Sequence, residues 1–400
     1  MRKSLLSLAC LVTCALSTQG ADWPCFRGPD RDGIARAERG INKAWNQRVP
    51  QTLWKIPLSD DGFAAPAIAN GRLYIADHEG KEDIVRALDA ATGKELWRFA
   101  YPDAESNRFG FTVSTPLVLD NKVYVSSRKG KIHCLDAATG EKLWARDLRV
   151  EYSATPPIWE YCMSPVVDNQ ALILGVSAAS VGLAALDKDT GKNLWETGSL
   201  NVSYASPVVA TLYGRKQYLV LGADALFSLD PATGKVLWQV PWPTIYRGKK
   251  GPTPVLVGDR IFVATTEGGD TGLVDPADGN PVVVWKGTEM QDHFTTPIYY
   301  HDRIYGSSDP KFLICVDPSD GKILWKQESG QFVSVIGIDD TVIALSGDKG
   351  ELIMADATTP EYRELGRFTP LGGKSYAAPI IADGRLYVRN QKELACIDLK

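Results

Sequence analysis

The chain has 400 residues, 44% apolar and 23% charged, with 44 Lys and Arg against 48 Asp and Glu for a net charge of −4. This is ordinary globular composition, which excludes disorder as the dominant state. The basic excess of a general nucleic-acid binder is missing, so no nucleic-acid partner is expected.

In chain order, residues 1–21 read as a signal peptide. Arg2 and Lys3 supply the positive region, Leu5 to Leu16 the apolar stretch, and Ser17 to Ala21 a small, polar cleavage zone. The stretch is too short to cross a bilayer, and no later apolar run is long enough, so no transmembrane span is expected. A periplasmic or secreted location follows. Cys10 and Cys14 lie in a context that fits a lipid-modification signal poorly. Residues 22–50 form an N-terminal arm, with Trp23 and Phe26 as anchors and a stretch, Ala35 to Trp45, compatible with a short helix.

From residue 51 to 400 the sequence repeats with a period of about 43 residues. The phrase Ala87-Leu-Asp-Ala-Ala-Thr-Gly-Lys-Glu-Leu-Trp97 returns as Cys134 to Trp144, Ala185 to Trp195, Ser228 to Trp238 and Cys315 to Trp325. A looser copy, Leu273 to Trp285, carries two extra residues. In a decayed copy starting at Met354 the Trp slot falls near Glu364-Leu365, and a truncated copy is Cys396-Ile-Asp398. Asp-x-x-Thr-Gly predicts a tight hairpin: the carboxylate accepts backbone N–H groups across the turn, and Gly takes the positive φ of the bulge. A second phrase, a small residue followed by Pro and an apolar run, opens each unit: Ala65-Pro66, Thr115-Pro116, Ser164-Pro165, Ser206-Pro207, Thr253-Pro254, Thr296-Pro297 and Ala378-Pro379, with Ser334-Val335 lacking Pro. Pro costs no ladder bond at the start of a strand.

Each unit therefore carries four short strands. A lone four-stranded sheet cannot bury two apolar faces, whereas radial stacking buries them, with Trp filling the widening gap between sheets. The eighth unit lacks its outer strand, and Thr52-Leu-Trp-Lys-Ile-Pro57 matches what is missing. The predicted fold is all-β: an eight-bladed β-propeller of four-stranded antiparallel blades, closed by the N-terminal strand. Cys134, Cys315 and Cys396 occupy a strand position where a small buried filler is expected.

The phrase Ala/Cys-Leu-Asp-x-x-Thr-Gly-Lys-x-Leu-Trp resembles the tryptophan-docking repeat of the pyrroloquinoline-quinone (PQQ)-type β-propellers, over residues 51–400. That fold is shared by quinoprotein alcohol dehydrogenases, by the BamB-type propeller of the bacterial outer-membrane assembly machine, and by secreted propellers of unassigned function. The opening Trp23-Pro-Cys-Phe-Arg-Gly-Pro29 looks like the start of the last group. The resemblance implies that an enzyme of this kind needs a vicinal Cys-Cys ring, a Trp floor, Ca²⁺ held by Glu and Asn, and an Asp base. The sequence holds no Cys-Cys pair and no C-x-x-C-H for a haem.

Motifs for other chemistry are weak. Thr-Gly-Lys recurs on the repeat schedule and reads as a hairpin, not a phosphate loop. Asp30-Arg-Asp32-Gly33 lacks the remaining acids of a calcium loop, and the four His do not cluster in sequence. One constellation stands out. Segments entering the inner strands surround the axis on one face, and they carry Phe63, Tyr204, Phe294, Phe332 and Tyr376, with Phe111 and Tyr161 slightly displaced. Arg108, Glu160, Arg247, Asp292, His293, Lys249 and Lys250 lie nearby. These predict an aromatic collar around a partly charged funnel, a default ligand or peptide site; the alternative is that the rings pack blade junctions.

The expected function is a non-catalytic scaffold, acting as a monomer, that binds a protein partner or small extracellular ligand, with no cofactor. The alternatives are a BamB-like assembly factor and a PQQ-dependent dehydrogenase, the latter using PQQ and Ca²⁺ with Asp292 or Glu160 as base.

Overall fold

The computed structural model describes residues 21–103, 110–244, 250–266, 269–291, 294–308 and 311–400. The expected signal peptide lies, but for Ala21, outside the described residues. Within them the strands form eight four-stranded antiparallel sheets. The first begins at Ala67–Ala69 and ends with Glu95–Pro102. The eighth comprises Ile380–Ala382, Arg385–Arg389 and Glu393–Asp398, completed by Thr52–Pro57. Trp54 pairs with Cys396, so the N-terminal strand closes the ring as the repeat arithmetic requires. No closing edge is left open to aggregation there. First strands of neighbouring blades pack on one another, which makes them innermost. Each of the seven proline residues immediately precedes its strand, as at Pro66 and Pro297.

The turns follow the predicted chemistry. Asp89 Oδ1 accepts from Thr92 N at 2.8 Å and from its hydroxyl at 2.7 Å, and Asp187 repeats this with Thr190 at 2.8 Å for both. A bulge follows in the outer strand, where Leu96 is the extra residue between Glu95 and Trp97, which pair with Leu88 and Ala87. Five of the strand indoles reach across to the next blade's turn. Trp54, Trp97, Trp144, Trp195 and Trp285 donate Nε1–H to the carbonyls of Ala90, Ala137, Lys188, Pro231 and Pro318 at 2.9–3.2 Å. Their rings lie on Gly93, Gly140, Gly191, Gly234 and Gly321. The same carbonyls receive a second donor that the repeat phrase does not announce: Tyr74 and Tyr387 donate to Ala137 and Ala90, both at 3.1 Å.

Three junctions depart from this pattern. Trp325 meets a seventh-blade turn that has no glycine, packs on Tyr362 with centroids 5.0 Å apart and leaves its buried Nε1–H without an acceptor. The fifth blade's longer turn includes a 3₁₀ turn, Ala277–Gly279, and Trp238 lines a hollow with Pro276, Asp278 and Gly279 without lying on the glycine, since nothing stands within 4 Å of a Cβ placed there. In the seventh blade the residue cross-strand from Met354, the Trp slot, is Gly366. Trp45 of the arm packs onto that glycine and fills the gap in its place, 1% exposed, with Asn46 N donating to Leu365 O at 3.1 Å. Residues 35–45 are therefore not helical: they run through turns and extended chain, because Trp45 and Ile41 are held in the blade core instead of lining one helix face.

The small residue before each Pro has a defined role. Thr115 N donates to Ser164 Oγ at 3.1 Å, Ser164 N to Ser206 Oγ at 3.0 Å, and Thr253 N to Thr296 Oγ1 at 3.0 Å, so hydroxyls stitch inner strands blade to blade. Ser164→Ala strands the buried Thr115 N–H and is expected to cost about 1–3 kcal/mol, read as a lower urea midpoint at unchanged m-value. Cys134, Cys315 and Cys396 are fully buried free thiols packed beside the indoles, as expected of fillers.

Candidate functional site

Because the strands alternate in direction, the segments entering the first strands and the hairpins joining second to third strands gather at one end of the ring. The arm runs along the opposite end and turns inward. Trp23 N and O pair with Ile68 at 2.9 and 2.8 Å, Val118 N donates to Pro24 O, and Arg31 donates to Val167 O. Gly337 N donates to Gly33 O at 3.0 Å. The buried Arg27 guanidinium donates to Pro297 O at 2.9 Å and Asp32 O at 2.8 Å; burial lowers its pKa to about 10, leaving it charged. Residues 23–34 thereby bond to inner strands of five blades and plug the axis.

Above the plug a cavity of about 70 Å³ remains, floored by Trp23, Phe26 and Arg27, walled by Ala65, Thr115 and Ser334, and rimmed by Phe294 and Tyr376. It has room for a few waters, well short of the several hundred Å³ that enclose a cofactor-sized ligand.

The predicted collar is half built. Phe63, Phe294, Phe332 and Tyr376 converge, with ring centroids 4.8 Å apart for Phe63–Tyr376, 4.9 Å for Phe294–Phe332 and 5.3 Å for Phe294–Tyr376. They come from segments entering the first, sixth, seventh and eighth blades. The other three rings do not join them. Phe111 turns outward and stacks on His78 at 3.7 Å. Tyr161 is buried against Gly130, its hydroxyl donating to Val176 O at 2.9 Å. Tyr204 packs on Trp159 at 5.0 Å and accepts the Trp159 N–H. Longer insertions on this side give these rings junctions to fill. Lys250 is also away from the mouth: it is fully buried, its ammonium donates to Trp242 O, and burial lowers its pKa to about 8. Arg108, Arg247, Lys249, Asp292 and His293 lie outside the described residues.

Glu160 is at the mouth but not free to act as a base. Its carboxylate pairs with Arg128 at 3.1 Å and with Lys129, and its backbone is held at φ 63. Arg128, which sequence reading passed over, is the centre of this side: 3% exposed, it donates to Trp159 O at 2.9 Å and to Gly110 O. A lone Arg in a hairpin carries no pattern by which to find it. Together Arg128, Tyr161 and Tyr204 brace the insertion 146–163 into a lip. That insertion opens with the single-turn helix Leu148–Glu151, capped by Asp147, and carries the two most exposed large apolar residues among those described, Ile158 at 77% and Val150 at 69%.

Among the described residues no three His, Cys, Asp or Glu side chains are grouped to hold a metal ion. No helix there is long and apolar enough to cross a membrane.

Fold and mouth together define a tryptophan-docked propeller of the quinoprotein type, with a plugged axis. The sequence pattern of the family described as outer membrane protein assembly factor BamB matches residues 81–327, and the chain belongs to that family. It is 24% identical over 332 residues to the outer membrane protein assembly factor BamB of Moranella endobia, covering 78% of this chain and 71% of that one. The fold is similar to that of BamB from Moraxella catarrhalis, with a TM-score of 0.66 at 18% identity over 88% of this chain and 98% of the other. It is equally similar to the quinohemoprotein alcohol dehydrogenase of Comamonas testosteroni, with a TM-score of 0.69 at 16% identity, covering 94% and 80%.

Proposed function

We propose that the protein is a non-catalytic scaffold outside the cytoplasm, a BamB-like assembly factor whose mouth docks a protein partner. The observation that carries this is the braced lip. Loop tips are ordinarily polar, and an exposed Ile158 held in place by Arg128, Tyr161 and Tyr204 presents apolar surface without the entropy cost of ordering it on binding. The family match supports an assembly role.

The quinone-enzyme reading draws on the same fold but finds little to hold its cofactor. The axial cavity is small, Glu160 is engaged by two cations, and the vicinal cysteines that the resemblance calls for are missing.

A photo-crosslinking residue at position 158 of the exported protein tests the proposal in cells. The expected result is one discrete adduct with a membrane-fraction protein. No adduct, or saturable binding of PQQ with Ca²⁺ coupled to dye-linked alcohol oxidation, overturns it.

A further inference from the structure

One cation of the plug is buried without a counter-charge in contact. The Arg27 guanidinium donates Nε–H to Arg31 O at 3.2 Å, Nη1–H to Thr296 O at 3.3 Å, and both Nη2 protons to Asp32 O and Pro297 O. All four acceptors are neutral carbonyls. An arginine has five N–H groups, and the fifth, on Nη1, has no acceptor among the described residues. The neighbouring acid is engaged elsewhere: Asp32 pairs with Arg36 at 2.5 Å and accepts from Ile34 N at 3.0 Å. The loop is bent to hold the guanidinium in place. Arg27 has φ 65 and Arg31 φ 56, and Gly33 N donates back to Arg27 O at 2.9 Å. Such a backbone is strained for a non-glycine residue, and strain of this kind clusters where a side chain has a task.

A buried charge is costly unless something of opposite sign meets it. Arg389 is also buried and held by carbonyls, but it does not border the axial cavity, whereas Arg27 does. Among the described residues no Asp or Glu lines that cavity, while Thr115, Thr296 and Ser334 bring hydroxyls to it. Thr296 Oγ1 already accepts from Thr253 N at 3.0 Å, so its proton is left to donate. About 70 Å³ holds a few waters. A halide, nitrate or formate fits that space, and a bulky organic anion does not.

We infer that the axial cavity binds a small monovalent anion, a halide or a planar ion such as nitrate or formate, which Arg27 holds from the plug and the hydroxyls of the inner strands hold from the ring. The ion joins the arm to the second, sixth and seventh blades and matches the single charge of the guanidinium. The site is independent of what docks at the lip.

Urea unfolding of the isolated full-length protein at constant ionic strength, with chloride replacing gluconate, reads the site. Chloride is expected to stabilise saturably, lowering the unfolding constant about a hundredfold once it stands at about a hundred times its dissociation constant. Nitrate and formate do the same. Sulfate, larger and doubly charged, acts only as a general salt and does not saturate. Arg27→Gln abolishes the saturable gain. Ala378→Leu, which crowds the cavity lining and leaves every Arg27 contact in place, abolishes it by a second route, so a plug that misfolds in the first variant does not decide the matter. In crystals grown from gluconate and soaked in bromide, an anomalous peak is expected beside Arg27 Nη1. No saturable gain in the wild type, a gain that survives in either folded variant, or a bromide map empty beside Arg27 overturns the site.

Discussion

Trp45→Ala is expected to destabilise the protein by about 3–5 kcal/mol, the range for removing a large buried aromatic. Trp45 is 1% exposed, sits on Gly366 and meets Phe368 edge-on with centroids 5.1 Å apart. It belongs to the largest buried cluster, with residues of the first, seventh and eighth blades. Its loss leaves an indole-sized cavity in a junction whose own strand contributes only a glycine. Urea unfolding measures the loss. A change under 1 kcal/mol would mean that the arm is not part of the folded core. Restoring a ring from the strand side through Gly366→Trp in the Trp45→Ala background is not expected to rescue it, since Gly366 holds φ 144.

The second large effect separates docking from backbone strain. Gly140 and Gly71 have nearly the same dihedral, φ 76 and 72. A methyl group at Gly140 would stand 2.5 Å from the Trp97 ring, whereas at Gly71 it meets nothing within 4 Å. Gly71→Ala therefore pays only the left-handed penalty, about 1–2 kcal/mol. Gly140→Ala adds overpacking of about 1–3 kcal/mol, for a total of about 2–5 kcal/mol. Equal midpoints for the two variants in urea would show that the indole does not press on the turn.

The ring was legible because its determinants are local and recurrent. An Asp turn, an indole eight residues after the turn Asp and a Pro at the head of a strand each leave a mark at one fixed place in the unit, and Trp54 stood out as a strand without a turn. The seventh blade was legible only loosely. Gly366 in place of a Trp looks like decay until the fold shows that Trp45 supplies the ring from a distant segment. The mouth was harder for the same reason. Phe63, Phe294, Phe332 and Tyr376 obey the positional rule and converge, but Phe111, Tyr161 and Tyr204 sit beside insertions, where the rule no longer fixes which way a ring points. Arg128 draws its significance from neighbours on other strands and leaves no periodic trace.

The closing strand has a consequence for how the molecule is made. Thr52–Pro57 pairs with Glu393–Asp398, and Gln51 O accepts from Asp398 N at 2.8 Å. During synthesis that strand and Trp45 of the arm emerge early and wait for almost the entire polypeptide before their partners, Glu393–Asp398 and Gly366, exist. Loop-closure entropy makes so long-range a pairing slow, and the waiting segment is an unsatisfied edge. A nascent chain of this kind needs either a holding chaperone on its early residues or a provisional three-stranded last blade that later admits its fourth member.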